Sequence, residues 1–160
     1  MEIERKFIIN ALPNALDGYR HAEISQSYLS LGGIDNPERR VRKMKIDQEE
    51  RYFLTEKGEG LLAREEDERE ITREEYEALL VGAITAAIDK TRYYIPIDPH
   101  HTAELDIFGG RLSGLVTVEV EFESIEDAAL FTPPSWFGSE ITEDKRYKNK
   151  ALAVIGLQAP

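Results

Sequence analysis

Eight stretches of this chain alternate charged and apolar side chains with a period of two, and that period commits them to β-strands, whose successive side chains point to opposite faces. The alternation predicts strands over Glu2–Ile9, Glu23–Leu31, Arg39–Ile46, Arg51–Lys57, Arg64–Ile71, Asp89–Ile97, Thr102–Phe108 and Leu115–Glu123. Turn-forming residues separate most of them, as at Gly32-Gly33, Asp35-Asn36-Pro37 and Gly109-Gly110. Helices are fewer. Thr72-Arg73-Glu74-Glu75 reads as a capping box ahead of Tyr76, Leu79 and Leu80 at helical spacing. A second helix is expected over Ile125–Phe131 and a third over Asn149–Leu157, with Leu152 and Ile155 facing inward. No repeat or shift of composition interrupts the 160 residues, so 1–160 reads as a single domain, α+β but mainly β, with a few covering helices.

The alternation sorts the charges. Glu2, Glu4 and Lys6 share a face opposite Ile3, Arg5 and Phe7; Glu119 and Glu121 oppose Val118 and Val120; Glu104 and Asp106 oppose Leu105 and Ile107. Lys90 and Arg92 oppose Thr91, Tyr93 and Ile95, Lys57 opposes Tyr52 and Leu54, and Glu68 and Glu70 precede Ile71. The strand with Arg40 and Arg42 carries charge on both faces, and its orientation stays open.

A sheet with one wet face produces the same alternation. The segregation of signs argues for something more specific, because like charges side by side repel and a solvated face usually mixes them. Paired carboxylates suit a hard divalent cation, which prefers oxygen donors, and paired arginines and lysines suit phosphate oxygens. An unpaired interior charge is strongly unfavourable, so such faces turned inward require water or a highly charged ligand with its metals. The formal net charge of −11 repels nucleic acid and anionic membranes, so a polyanionic substrate needs a local basic pocket or metal ions.

In order along the chain, Glu2-x-Glu4-x-Lys6, Tyr28, Arg40-x-Arg42, Lys57, Glu68-x-Glu70, Lys90-x-Arg92, Asp106-x-Phe108, Glu119-x-Glu121 and Thr142–Asn149 resemble the CYTH superfamily, the triphosphate tunnel metalloenzymes, over almost the whole length. The likeness is strongest to short bacterial inorganic triphosphatases. It implies an eight-stranded antiparallel closed β-barrel, a tunnel with charged side chains inside. It further implies that Glu2, Glu4, Glu119 and Glu121 hold Mg2+ or Mn2+. Asp106, Glu68 and Glu70 would support a second metal or the attacking water, and Tyr28 would assist proton transfer or hydrogen-bond the ligand. Lys6, Arg40, Arg42, Lys57, Lys90 and Arg92 would bind phosphoryl oxygens, and the tail around Asp144 and Lys148 would approach the tunnel mouth. The implied reaction is hydrolysis of tripolyphosphate by metal-activated water.

Adenylate cyclase and thiamine triphosphatase remain alternatives within the superfamily, and a non-catalytic module binding polyphosphate or nucleotides is one outside it. A triphosphate-containing small molecule is the expected partner, with no nucleic acid or membrane; a homodimer is compatible with the sequence. The absence of cysteine excludes disulfides, thiolate metal sites and cysteine nucleophiles. Glu2, Glu4, Arg5 and Lys6 directly after Met1 predict no secretory segment and hence a cytoplasmic protein. No Walker loop or GxSxG element is present. His100-His101, beside Pro99, reads as a solvated turn, and Trp136 as a loop anchor on the core.

Overall fold

The structure, a computed structural model, describes residues 3–32, 37–57 and 66–156. Strands β1 (Glu4–Ile8), β2 (His21–Leu31), β3 (Glu38–Ile46), β4 (Glu49–Lys57), β5 (Glu66–Ile71), β6 (Ile88–Asp98), β7 (His101–Phe108) and β8 (Val116–Glu121) match the eight expected from the alternation. Glu2, Gly33, Asp35, Asn36, Arg64 and Leu157, which fell within expected elements or turns, lie outside the described residues. The strands form one antiparallel sheet in the order β1-β8-β7-β6-β2-β3-β4-β5. The β3–β4 hairpin turns at Asp47 and Gln48, both at positive φ (52° and 66°), as a two-residue turn that follows the twist of the strands requires.

The barrel is not closed by a continuous ladder among the described residues, because the free edge of β1 is already taken. Ile8 N donates to Ser139 O at 2.9 Å, Gly138 N to Ile8 O at 2.7 Å and Ile141 N to Lys6 O at 2.8 Å. The segment 138–141 thus satisfies the edge that β5 would otherwise pair with. Its approach requires glycine at 138, where a Cβ would lie 2.5 Å from the Ile8 carbonyl oxygen.

Apolar packing falls into three clusters, the first two on the outside of the curled sheet and the third on its inner face, where Phe108 stands opposite Lys90 and Ile88 opposite Gln26. Phe7, Leu105, Val118, Val120 and Phe122 are covered by α2 (Ile125–Leu130) and by Phe131, Trp136 and Phe137, so Trp136 does anchor its loop. Val41, Tyr52, Leu54 and Ile71 lie under α1 (Arg73–Leu80), where Tyr76 meets the Tyr52 ring at 5.0 Å. The expected capping box is formed: the Thr72 hydroxyl accepts from Glu75 N while the Glu75 carboxylate accepts from Thr72 N. Tyr28, Ile88, Phe108 and Leu112 hold α3 (Asn149–Val154) through Leu152 and Ala153.

Two expectations change. Ile155 is exposed rather than inward, because α3 stops at Val154 and the chain leaves through Gly156 at φ 86°. His101 is not solvated: its ring sits between Asp98 (Nδ1–Oδ2 2.8 Å) and Asp127 (Nε2–Oδ1 3.0 Å) and packs on Phe122 and Phe131. The β6–β7 turn folds back onto α2, a contact invisible in the local sequence.

Candidate active site

With most apolar residues outside, the inner face of the sheet is mainly polar, Ile24 and Met44 apart, and it encloses a cavity of about 710 Å³. That volume is ordinary for a small-molecule site. Glu4, Lys6, Glu119 and Glu121 line one wall from β1 and β8, while Arg40, Arg42 and Lys57 line another from β3 and β4. Lys90 and Arg92 of β6, Tyr28 of β2 and Glu68 of β5 complete the expected residues that reach it. The orientation of β3 is settled: Arg40 and Arg42 point in, whereas Val41 packs outside and Arg39 and Lys43 pair there with Glu56 and Glu50.

The cavity is electrically zoned. On β1, β8 and β7, Glu4 faces Glu121 across one pair of strands and Glu119 faces Glu104 across the next. The centre of the sheet presents cations, and β5 returns to acids, with Glu66 3.2 Å from Arg40 and Glu68 3.4 Å from Arg42. Lys6, within the acidic wall, lies 3.6 Å from Glu119 and donates to Tyr147 O at 2.7 Å.

Asp106 is buried (1% exposed) behind the cations rather than open to the cavity. Arg92 grips it with two donors, Nε at 2.8 Å and an Nη at 2.9 Å, and Lys90 Nζ adds a third contact at 2.9 Å. Burial pushes its carboxyl up, but Lys90 and Arg92 together overcome this and bring it down to about 2. Both oxygens are committed to holding cations, which differs from the expected support of a metal or of water. Glu70 is not brought to the cavity either: it stands beside Phe53 where the lining ends, half exposed and 3.8 Å from Arg51.

The lining also includes residues to which no role was assigned from sequence: Gln26, Glu38, Glu66, Tyr94, Glu104 and Lys150. Glu104 was already paired with Asp106 on one face, and extending the other charged pairs by one step of period two would have found three more. Glu38 precedes Arg40, Glu66 precedes Glu68 and Tyr94 follows Arg92. Lys150 comes from α3 and carries no such signal. The expected approach of the tail is seen in Thr142, Glu143, Lys148 and Asn149 at the cavity, whereas Asp144 turns to Arg146 at 2.6 Å.

No protein-family model matches the chain. An inorganic triphosphatase of Nitrosomonas europaea is 46% identical over 154 residues, covering 96% of this chain and 97% of the relative. The chain belongs to the CYTH superfamily. An inorganic triphosphatase of Acetivibrio thermocellus is 33% identical over 153 residues, covering 94% and 92%. The crystal structure of an inorganic triphosphatase superposes with a TM-score of 0.71 at 40% identity, over 100% of this chain and 97% of that one.

For a CYTH tunnel, the acidic wall bears on metal binding. Two like-charged pairs facing each other repel, and burial, ahead of the lowering effect of Arg92, holds the Glu104 carboxyl above its ordinary range. Oxygen donors in such excess fit a hard divalent cation. Among the described residues no three His, Asp or Glu side chains are grouped closely enough to hold an ion; a cation such as Mg2+ is commonly held by one or two carboxylates together with phosphate oxygens. Elsewhere in the cavity, desolvation lowers Lys6 and Arg42, while Arg92 is raised well above the ordinary range because Asp106 outweighs its burial. Burial raises the Tyr28 phenol, with Arg40 pulling only partly the other way, so it stays protonated at neutral pH.

Proposed function

We propose that this protein hydrolyses inorganic triphosphate with the aid of Mg2+ or Mn2+, acting as one domain over 1–160. The observation that carries the reading is the zoning of a single cavity, an acidic wall on β1, β8 and β7 against a cationic wall on β6, β3 and β4. Phosphoryl oxygens would take up Lys6, Arg40, Arg42, Lys57, Lys90 and Arg92, whose charge offsets what spreads over the equatorial oxygens as the anhydride bond breaks. Arg92 is aimed before substrate arrives, since Asp106 fixes its guanidinium. Glu4, Glu119 and Glu121 would hold the cation, together with Glu2. When bound, a divalent cation there neutralises phosphate charge and acidifies water for in-line attack. Tyr28, protonated at neutral pH, would donate a hydrogen bond to a phosphoryl oxygen. Glu68 would help position the water, from a site where it already accepts from the Thr55 hydroxyl at 3.0 Å.

Relatives named inorganic triphosphatase support tripolyphosphate over ATP or thiamine triphosphate. A cytoplasmic setting suits the cysteine-free composition. No helix among the described residues is long and apolar enough to cross a membrane. Phosphate release from tripolyphosphate, ATP, thiamine triphosphate and pyrophosphate, each with Mg2+, Mn2+ or chelator, tests the proposal. Fast turnover of tripolyphosphate that chelator abolishes supports it. Cyclic AMP from ATP, or tight binding with no turnover of any substrate, would overturn it.

A further inference from the structure

Two buried carboxylates sit among the cations of the cavity, and they hold their partners differently. Asp106 is locked, with contacts of 2.8–2.9 Å to Arg92 and Lys90, the length of a charge-assisted hydrogen bond. Glu38, at the start of β3, has a side chain only 8% exposed and is shared among three cations from three elements. Its carboxylate lies 3.5 Å from Arg40, 3.8 Å from Lys57 of β4 and 3.6 Å from Lys150 of α3. All three separations exceed a charge-assisted hydrogen bond. The attraction is therefore mainly Coulombic, and a better-fitting anion can displace it.

Resting on the triphosphatase reading, we infer that Glu38 is a specificity-determining residue, a resident anion that competes with phosphoryl groups for Arg40, Lys57 and Lys150. The charge count gives the consequence. Three cations less Glu38 and Glu66, the latter 3.2 Å from Arg40, leave a net +1 at this end of the cavity, which removing Glu38 would double. Triphosphate carries enough charge and enough oxygens to engage these cations and the Lys90–Arg92 pair together. The shorter products, pyrophosphate and phosphate, reach fewer cations at once and compete less well with a carboxylate that cannot diffuse away. Glu38 thus weakens the hold on product more than the hold on substrate and favours release after each turnover. Lys150 gives α3 a part in this selection, since the helix supplies one of the contested cations.

The test compares wild type with Glu38→Gln, which keeps shape and removes the charge. Pyrophosphate affinity is measured by calorimetry without turnover, and as inhibition of tripolyphosphate hydrolysis. Glu38→Gln should bind pyrophosphate about tenfold more tightly, a change expected from removing one charge at this range in partly screened surroundings. The Michaelis constant for tripolyphosphate should fall by less, and kcat should fall as release becomes limiting. Glu38→Asp, retracting the carboxylate from contacts already long, should shift pyrophosphate affinity the same way by a smaller factor, and it carries the test if the Gln variant does not fold. Unchanged or weaker pyrophosphate binding in the folded variant overturns the inference. Wild-type turnover of tripolyphosphate is read separately and reports on the triphosphatase reading itself, so the two can fail independently.

Discussion

Replacing Asp106 by Asn should destabilise the protein by about 3 kcal/mol at neutral pH. The carboxyl falls from an ordinary 3.8 to about 2 in the folded chain. At about 1.4 kcal/mol per tenfold change in proton affinity, that difference corresponds to roughly 2.5 kcal/mol of folding free energy. Asn preserves the shape but leaves Lys90, only 4% exposed along its side chain, without its anion, and breaking a buried pair costs about 3–5 kcal/mol. For a chain of this length, 3 kcal/mol lowers the melting temperature by about 10 °C. The folded pKa lies below the unfolded one, so the wild-type contribution is present above about pH 4 and fades as pH falls toward 2. Urea unfolding of both proteins at several pH values measures the gap between them. It should be widest near pH 7 and nearly closed at pH 2. A gap below about 1 kcal/mol at pH 7, or one constant down to pH 2, would refute the assignment of Asp106 as the anion that holds Lys90 and Arg92.

Glu4→Ala and Glu121→Ala should each lower metal-dependent hydrolysis by at least about a hundredfold with unchanged circular dichroism, and activity retained in both would remove them as metal ligands. Arg40→Ala should raise the Michaelis constant for tripolyphosphate about tenfold or more, as losing a charge-assisted contact implies; steady-state kinetics with an unchanged value would deny Arg40 a phosphate. Hydrogen bonding to Asp98 raises the His101 pKa in the folded chain, with Asp127 adding to it. That stability is complete below about pH 6.5, the ordinary value for histidine, and is lost as pH rises through the raised folded value. Thermal melts of wild type and His101→Gln should therefore differ more at pH 6 than at pH 9, and an equal difference would count against the clasp.

The strands were legible because period two leaves little freedom: alternating Glu4, Lys6 and Phe7, or Val118, Glu119 and Val120, must present two unlike faces wherever they fold. The helix at Arg73–Leu80 was equally legible, since its capping box is a local bargain between Thr72 and Glu75. Of the site, the sequence carried which residues share a face, and hence most of the cavity lining. On β3, with charge on both faces, it could not say which way Arg40 pointed. Covering Val41 with α1 decided that, a contact between residues far apart in the chain.

What the sequence determined by itself is the periodicity of each strand and the sign of the charge on each face, because both follow from covalent order and the pleat. Tertiary structure decided which charges meet. It took Asp106 out of reach of water and placed it behind Lys90 and Arg92, left Glu70 beyond the lining, and brought Lys150 from α3 to Glu38. It also gave the β1 edge to residues 138–141. Electrostatic energy depends on distance and burial, and both are properties of the assembled sheet rather than of any one strand.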